Sequence, residues 1–264
     1  MNNKYLKVFM LSIQNSIVYR ANFVAEIISG IIPFLVQVYI WINVYGAAGK
    51  KEIEGYQLSQ LILYIAFSAI VAKLVQTNSH YDIANEIKQG SISQYIIKPL
   101  SFIPYCISKE LGSRFIFSVI LNVVLTIAIV VLNGGKYNIL FFVFGFISCF
   151  LGMILYFMLN YNLALLSFWF IDVSQIFSAT QLIFLFCSGG VVPVSFFPQV
   201  FQRILVYLPF PLIIYFPVNV FSGKENFGDI FQNMLIQIVW ILILLLLSRL
   251  LWKKGVKKFS FFGG

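Results

Sequence analysis

Few residues of this chain could make or break bonds, because only 9 of its 264 residues are acidic and a single histidine is present. His80 has no cysteine cluster near it, which makes it a poor metal ligand, and we expect it to be a solvated loop residue. Cys106, Cys149 and Cys187 lie in apolar surroundings without CxxC or metal spacing, so buried thiols are favoured. We predict no catalytic residue and no metal site.

Nucleotide chemistry is not predicted for this chain either. The Gly-Lys pair within GGKYN, at 134–138, lacks the spacing and the Ser or Thr of a phosphate-binding loop. The sequence contains no HExxH, no GxSxG and no pair of carboxylates within one apolar run, which an intramembrane protease or a lipid hydrolase would need. We therefore do not expect the chain to be an enzyme on its own.

The elements that hold these residues are those of a membrane protein. Hydrophobic residues make up 60% of the chain and charged residues only 10%, whereas about 25% of a soluble domain is charged. The apolar runs are continuous, whereas barrel strands alternate apolar and polar residues. We predict an all-α polytopic membrane protein. In a membrane protein, the basic residues behind the net charge of +9 indicate which loops face the cytoplasm. We expect no nucleic-acid partner.

Six segments are apolar over roughly the 20 residues that a bilayer crossing requires. These predicted transmembrane helices lie at about 23–45, 58–74, 114–132, 139–168, 175–192 and 230–251. Residues 191–224 are also apolar but are interrupted by prolines. Because proline breaks helices and lipid tolerates no unsatisfied backbone, we predict that this outer segment forms short re-entrant helices. A seventh crossing is the alternative.

The distribution of charge favours six crossings. With a cytoplasmic N-terminus, 13 of the 18 Lys and Arg residues lie on the inner side and 5 on the outer side. A seventh crossing would place the basic C-terminal end outside, against the positive-inside rule. We predict cytoplasmic termini and one transmembrane domain over 22–264.

Residues 1–21 are predicted to form an amphipathic helix on the inner leaflet. Leu6, Met10, Ile13 and Ile17 recur at helical spacing, and the charged residues lie elsewhere on the wheel. A cleaved signal peptide is the alternative, but the first apolar run is too long and begins too late.

Ionisable and amide residues inside apolar runs are candidates for function. They are Glu26, Asn122, Asn160, Asn162 and Asp172. Glu26 lies six residues after Arg20, which is about 9 Å along a helix, and this shallow depth favours a hydrogen bond or ion pair over a proton relay. Asp172 is expected at a cytoplasmic turn as a solvated or helix-capping acid.

Four stretches of the sequence resemble a known family when taken in order. They are VYRANF at 18–23, IKQGSISQYIIKPLS at 87–101, LSFWFID at 166–172 and SGGVVPVSFFPQVFQRILVYLPFPLIIYFPVNVFSGK at 188–224. Together they are similar to the permease subunits of ABC-2 type transporters, in particular the bacterial six-span group. The resemblance implies a multi-pass protein of the bacterial cytoplasmic membrane. It also implies a second permease subunit, alike or different, and two separate ATPase subunits that bind ATP and Mg²⁺.

The polar loop at 75–113 corresponds to the coupling segment of that family. From the residues alone, 82–88 can form a short helix with two isoleucines on one face, and Gly90 ends it. A short amphipathic helix needs a groove for its apolar face, and the resemblance implies that the ATPase supplies it. The residues assigned to ATPase docking are Ile83, Glu86, Ile87, Lys88, Gly90, Lys98 and Pro99. A solvated connector is the alternative.

The resemblance also marks positions in the outer segment by its Gly-x-x-Pro, Phe-Pro and Leu-Pro-Phe elements. These positions are Gly190, Pro193, Pro198, Pro209, Phe210 and Pro217. The expected function is export of a hydrophobic or amphipathic substrate, such as a drug, a peptide or a lipid, since the spans are apolar and aromatic. The alternatives are a secondary transporter driven by an ion gradient and a non-transporting membrane interaction subunit.

Overall fold

A computed structural model of the protein describes residues 3–18, 20–97, 101–132, 138–170 and 172–262. Within these residues the chain is almost wholly helical. The α-helices, in chain order, are α1 (Asn3–Val18), α2 (Arg20–Ala48), α3 (Leu58–Val75), α4 (Ser79–Lys88), α5 (Ser93–Ile97), α6 (Phe102–Leu132), α7 (Ile139–Leu165), α8 (Ser174–Cys187), α9 (Gln199–Leu205), α10 (Tyr215–Phe221) and α11 (Phe227–Phe262). Single 3₁₀ turns occur at Leu166–Phe168 and Val194–Phe196.

A small hairpin between α2 and α3 was not expected from the apolar pattern. Its strands are β1 (Glu52–Ile53) and β2 (Tyr56–Gln57), paired antiparallel. Both turn residues have positive φ, 47° at Glu54 and 79° at Gly55, which is the geometry of a tight two-residue hairpin turn. The turn reverses the chain between two long helices.

Four helical stretches of the described residues are long and apolar enough to cross a membrane. They are Ile28–Ala48, Leu58–Lys88, Ile139–Phe168 and Phe227–Lys258. The helical content and these stretches make the chain an all-α membrane protein. Each of the six predicted crossings overlaps a helix of the structure, and the number of crossings remains a prediction.

Several of the predicted segments have different bounds in the structure. Helix α6 begins at Phe102 rather than near 114, so the predicted loop 75–113 holds α4, α5 and the start of α6. Pro104 is tolerated there because it lies in the first turn, where its missing N–H would have no helical partner. The charged residues do not end the helix, because Arg114 pairs with Glu110 one turn earlier, with Nε and Oε1 3.7 Å apart.

Helix α8 ends at Cys187, earlier than the predicted 192. Its 14 residues rise about 21 Å, less than the roughly 30 Å of a bilayer core. The helix stops because Gly189 takes a φ of +78°, a left-handed conformation that ends helices.

Helix α7 lies at the centre of the fold and packs against α11, α10, α4 and α3. Two glycines on it allow close approach. A Cβ on Gly145 would lie 2.7 Å from the Phe221 ring, and one on Gly152 would lie 3.1 Å from the Ile213 carbonyl oxygen. Inside a membrane the hydrophobic effect does not drive helices together, because lipid tails are as apolar as the helices. Small residues favour packing there, because they let two backbones approach closely. The proline-rich segment therefore packs directly on α7.

The segment 191–224 forms the short helices α9 and α10 joined by turns, and carbonyls within it and directly before it accept hydrogen bonds from side chains of longer helices. The Tyr64 hydroxyl donates to the Gly189 carbonyl at 2.6 Å, and the Ser68 hydroxyl donates to the Gly190 carbonyl at 3.1 Å. The Gln237 amide donates to the Leu212 carbonyl at 2.8 Å. Non-helical backbone is tolerated at membrane depth when protein groups satisfy it in this way.

We expect Gln237→Leu to weaken the attachment of this segment. Gln237 is fully buried, and its amide also donates to the Ser148 carbonyl of α7 at 3.1 Å. Interhelical hydrogen bonds in membranes contribute about 0.6–1.7 kcal/mol, so the free energy of unfolding should fall by about 1–2 kcal/mol in detergent titrations. Gln232→Leu, at an exposed position of the same helix, is the matched control and should have no effect. Equal behaviour of the two variants would contradict the assignment.

Helix α1 packs along the first half of α6 more extensively than any other described helix pair. A Cβ on Gly112 would collide with the Phe9 carbonyl oxygen. The Ser16 hydroxyl donates to the Ser113 carbonyl at 2.8 Å, and the Phe9 and Phe115 rings meet edge to face at 5.7 Å. Leu6, Met10 and Ile17 remain exposed on the other side of α1.

Candidate coupling site

Helix α4 is built by short-range signals that the sequence carries. The Thr77 hydroxyl accepts the Ser79 N–H at 3.2 Å at the start of the helix. Asp82 lies in the first turn and Lys88 in the last, where each charge is favoured by the helix dipole. At the end, Gly90 has a φ of +76° and its N–H reaches the Ile87 carbonyl at 3.2 Å. Gly90 therefore ends the helix, as its position predicts.

The connection from α4 to α5 is held by a set of local hydrogen bonds. The Ser91 hydroxyl and the Ile92 N–H both donate to the Glu86 carbonyl, at 3.1 and 3.3 Å. The Ser93 hydroxyl donates to the Gly90 carbonyl at 2.9 Å. Ile92 is fully buried beneath this turn. Helices α4 and α5 therefore form one compact unit, called the α4–α5 unit below.

The apolar face of α4 points into this chain. Ile83 is 5% exposed and Ile87 is 2% exposed, and α4 packs against α7 and the 3₁₀ turn Leu166–Phe168. The expectation that these isoleucines enter a partner's groove is therefore corrected. Their side chains already have an apolar partner, because α7 presents a hydrophobic face within reach of the short helix.

The opposite face of α4 is polar and open. Asp82, Asn85, Lys88 and Gln89 are exposed there, and Glu86 is half-buried. Positions 82, 85 and 89 recur at helical spacing and so share a side of the helix. Any protein that contacts α4 from outside meets these groups.

A narrow acidic crevice of about 20 Å³ separates α4 from α6. Its carboxylates are Asp82 and Glu86 from α4 and Glu110 from α6, with Lys109 beside them. These are three of only 9 acidic residues in a chain of net charge +9. A third of the acidic residues of this basic chain therefore lies in one crevice beside α4.

A comparison with known families identifies the family of the chain. Residues 31–263 match the model of a family described as ABC-2 family transporter protein. The chain belongs to the ABC-2 transporter family. No curated protein matches it. The resemblance found in the sequence motifs is thereby confirmed, and it makes the chain a transmembrane ABC permease that associates with ABC ATPase subunits and the membrane.

His80 is placed differently from the sequence expectation for this ABC-2 permease. It is 1% exposed, and its ring lies 4.3 Å from Tyr81 and 4.7 Å from Phe177 of α8. The interpretation as a solvated loop residue is wrong. The signal was present, because His80 precedes Ile83 by three residues and Ile87 by seven, so it belongs to the buried stripe of α4.

Three of the candidate polar residues have structural partners in this ABC-2 permease. The Asn160 amide donates within α7 to the Tyr156 carbonyl at 3.0 Å. The Asn162 amide donates to the Leu244 carbonyl at 3.1 Å and so joins α7 to α11. Asp172 is exposed and accepts the Ser174 N–H at 2.9 Å, and this hydrogen bond holds the pKa of its carboxyl below the usual value. It lies at the start of α8, as an acid that stabilises a helix N-terminus does.

Some residues of the ABC-2 permease with a predicted role are not described by the structure. The side chains of Glu26 and Asn122, together with Lys98 and Pro99, lie outside the described residues. Their assigned roles remain predictions.

The marked residues of the proline-rich segment begin or connect its short elements. Pro193 and Pro198 directly precede the 3₁₀ turn Val194–Phe196 and helix α9. Pro209 and Phe210 lie in the turns before α10, and Pro217 is in the first turn of that helix. Proline is favoured at such starts because its φ is already helical. Gly190 is joined to α3 through Ser68.

Proposed function

We propose that this ABC-2 permease is the membrane subunit of an ATP-driven exporter in the cytoplasmic membrane of a bacterium. In the proposed assembly it pairs with a second permease subunit and with two separate ATPase subunits. The proposed topology has six crossings, α1 on the inner leaflet, both termini in the cytoplasm and the segment 191–224 on the outer side.

The observation that carries this proposal is the two-sided packing of the α4–α5 unit. One side of α4 is buried on α7 through Ile83 and Ile87, and the other side is polar and exposed. A push on the polar side would therefore move α7 with it, because packed helices shift as rigid bodies. The ATPase subunits, when they close on ATP, are the proposed source of that push.

The proposed substrate is hydrophobic or amphipathic. Support comes from the composition of the helices, since the long helices carry mainly apolar and aromatic residues. Buried polar side chains such as Asn162 and Gln237 are engaged with backbone carbonyls. They are therefore occupied in holding helices together.

The proposal is tested by purification and reconstitution. We expect the permease to copurify with a separate ABC ATPase, and the pair in proteoliposomes to move a fluorescent amphiphile only when ATP and Mg²⁺ are supplied. ATP hydrolysis should stop when the catalytic glutamate of the ATPase is replaced, and transport should stop with it. Transport by the permease alone, driven by a proton or sodium gradient, would instead identify a secondary transporter. Copurification without any transport would identify an interaction subunit.

A further inference from the structure

A cavity lies where α1, α5, the start of α6 and the end of α11 meet. Its volume is about 610 Å³, within the range of cavities that hold a small molecule. It is separate from the acidic crevice beside α4, and among the described residues of the α4–α5 unit Tyr95 lines it.

One wall of the cavity is aromatic. The Phe102 ring stacks on the Trp252 indole, with centroids 4.8 Å apart and planes 19° apart. The Tyr95 ring meets Phe102 edge to face at 5.1 Å. Trp and Tyr are enriched where a membrane protein meets the headgroup layer, because their rings have an apolar body and a polar edge. This wall suits the glycerol and upper acyl region of a lipid.

A positively charged side chain lines the cavity. Arg249 lines it from α11, is exposed, and has no hydrogen bond or ion pair within the part of the chain that the structure describes. Lys253, Lys254, Lys257 and Lys258 follow on the same helix. A guanidinium binds phosphate oxygens in a two-point geometry that lysine cannot reproduce. The cavity is therefore built for an anion.

The cavity that Arg249 lines is also lined by residues with hydroxyl groups. The Tyr5 oxygen accepts the Ser101 N–H at 3.1 Å, which leaves its own O–H to donate. Ser108 also lines the cavity. Phosphate contacts in proteins commonly combine arginine with such hydroxyl donors.

The same end of α11 is continuous with an exposed apolar surface. Leu246, Leu247 and Leu250 flank Arg249 and are 57%, 42% and 58% exposed. The apolar run of α11 ends at Arg249, and the basic run begins there. A ligand that satisfies both surfaces has an anionic head at Arg249 and a hydrocarbon tail along the leucines.

We propose that this cavity binds one anionic phospholipid of the leaflet on this side of the bilayer, with its phosphate on Arg249 and its glycerol region against Trp252. Basic pockets between transmembrane helices recognise acidic headgroups in this way. Charge complementarity decides the occupant, because Arg249 lines the cavity and no acidic residue among the described ones does. None of the described residues on the polar side of α4 lines the cavity.

The test uses the full-length, delipidated permease in a neutral detergent, with unfolding temperature as the readout. Phosphatidylglycerol should raise that temperature by binding the folded state, phosphatidylcholine should raise it less, and glycerol 3-phosphate should not. Arg249→Gln should need about tenfold more phosphatidylglycerol for the same shift, the effect of losing one charged hydrogen-bonding group. Arg203→Gln, at an exposed arginine of α9, is the matched control and should titrate as the wild-type protein does. The amount of phosphatidylglycerol that Arg249→Lys needs should lie between the amounts needed by the wild-type protein and by Arg249→Gln.

Native mass spectrometry of the wild-type protein supplies an independent measurement that needs no variant. We expect one anionic lipid to remain bound per chain in preference to phosphatidylcholine. An unchanged titration for Arg249→Gln, or a shift with glycerol 3-phosphate equal to that with the lipid, would overturn the proposal. Loss of the lipid effect once the ATPase is bound would also overturn it, because the cavity would then belong to the protein interface.

Discussion

The double variant Asp82→Lys, Lys88→Glu is expected to lose ATP-driven transport while the amount of folded permease stays at the wild-type level. Both side chains lie on the exposed side of α4, and the exchange leaves the net charge of the chain unchanged. Like charges brought together at an interface cost several kcal/mol. ATPase copurification should therefore fall at least about tenfold, and transport should fall with it.

The fold should survive this exchange. The cost within α4 is that two favourable interactions with the helix dipole become unfavourable, about 0.6–2 kcal/mol for each position. The matched control is Lys50→Glu, Glu52→Lys, a charge-conserving exchange at two exposed residues near the β1–β2 hairpin. It should retain both copurification and transport. If the α4 variant and the hairpin variant behave alike, the polar side of α4 is not the docking surface.

A substitution at a buried isoleucine of α4 should have the opposite effect, because it should remove the folded protein itself. Ile87→Asp would place a carboxylate where the side chain is 2% exposed, and an unpaired buried charge costs several kcal/mol. We expect loss of folded protein, visible as aggregation during size-exclusion chromatography. Folded but uncoupled Ile87→Asp protein would show that Ile87 reaches the ATPase after all.

The second large effect is expected at Gly189. Its φ of +78° is left-handed, and a Cβ there would lie 2.8 Å from Cβ of Tyr215 and 2.9 Å from the Tyr64 hydroxyl. The strain of a side chain in this conformation costs about 1–2 kcal/mol, and overpacking adds about 1–3 kcal/mol. Gly189→Ala should therefore lower the free energy of unfolding by about 2–5 kcal/mol.

The contact that would break explains why the penalty is large. The Tyr64 hydroxyl donates to the Gly189 carbonyl at 2.6 Å, and the Tyr215 N–H donates to the Ser188 carbonyl at 3.0 Å. Displacing either bond frees a carbonyl at the turn between α8 and the proline-rich segment. The measurement is a denaturant titration in detergent followed by tryptophan fluorescence.

Gly223→Ala separates strain from crowding. Gly223 also has a positive φ, +66°, but nothing lies within 4 Å of a Cβ built on it. We expect a loss of about 1–2 kcal/mol there, from strain alone. Equal losses at Gly189 and Gly223 would mean that the contacts of Gly189 with Tyr64 and Tyr215 contribute nothing.

The parts of this structure that follow from the sequence are those set by local periodicity and composition. Continuous apolar runs predicted where the long helices lie, and Gly90 predicted the end of α4 because a left-handed residue commonly closes a helix. The stripe of His80, Ile83 and Ile87 could be read as one face. The neighbour that covers this face could not be predicted from the sequence. The burial of the face on α7 depends on contacts between residues about 80 positions apart, which no local pattern reveals.

The remaining differences have similar causes. The start of α6 was missed because Lys109 and Arg114 resemble a loop in a hydropathy profile, although charged pairs one turn apart are stable in a helix. Gln237 was overlooked because a single amide in a leucine-rich run has no distinguishing signal. Its role depends on the Leu212 carbonyl, which is available only because the proline-rich segment cannot make its own helical bonds.

The packing of α1 on α6 has a consequence for the order in which the protein is made. Ser16 and its partner Ser113 are 97 residues apart in the chain. At roughly 5–20 residues per second, about 5–20 s of synthesis separates them. Throughout this interval the face formed by Phe9, Ser12 and Ser16 has no partner. The docking of α1 can therefore be completed only after α6 has emerged from the ribosome.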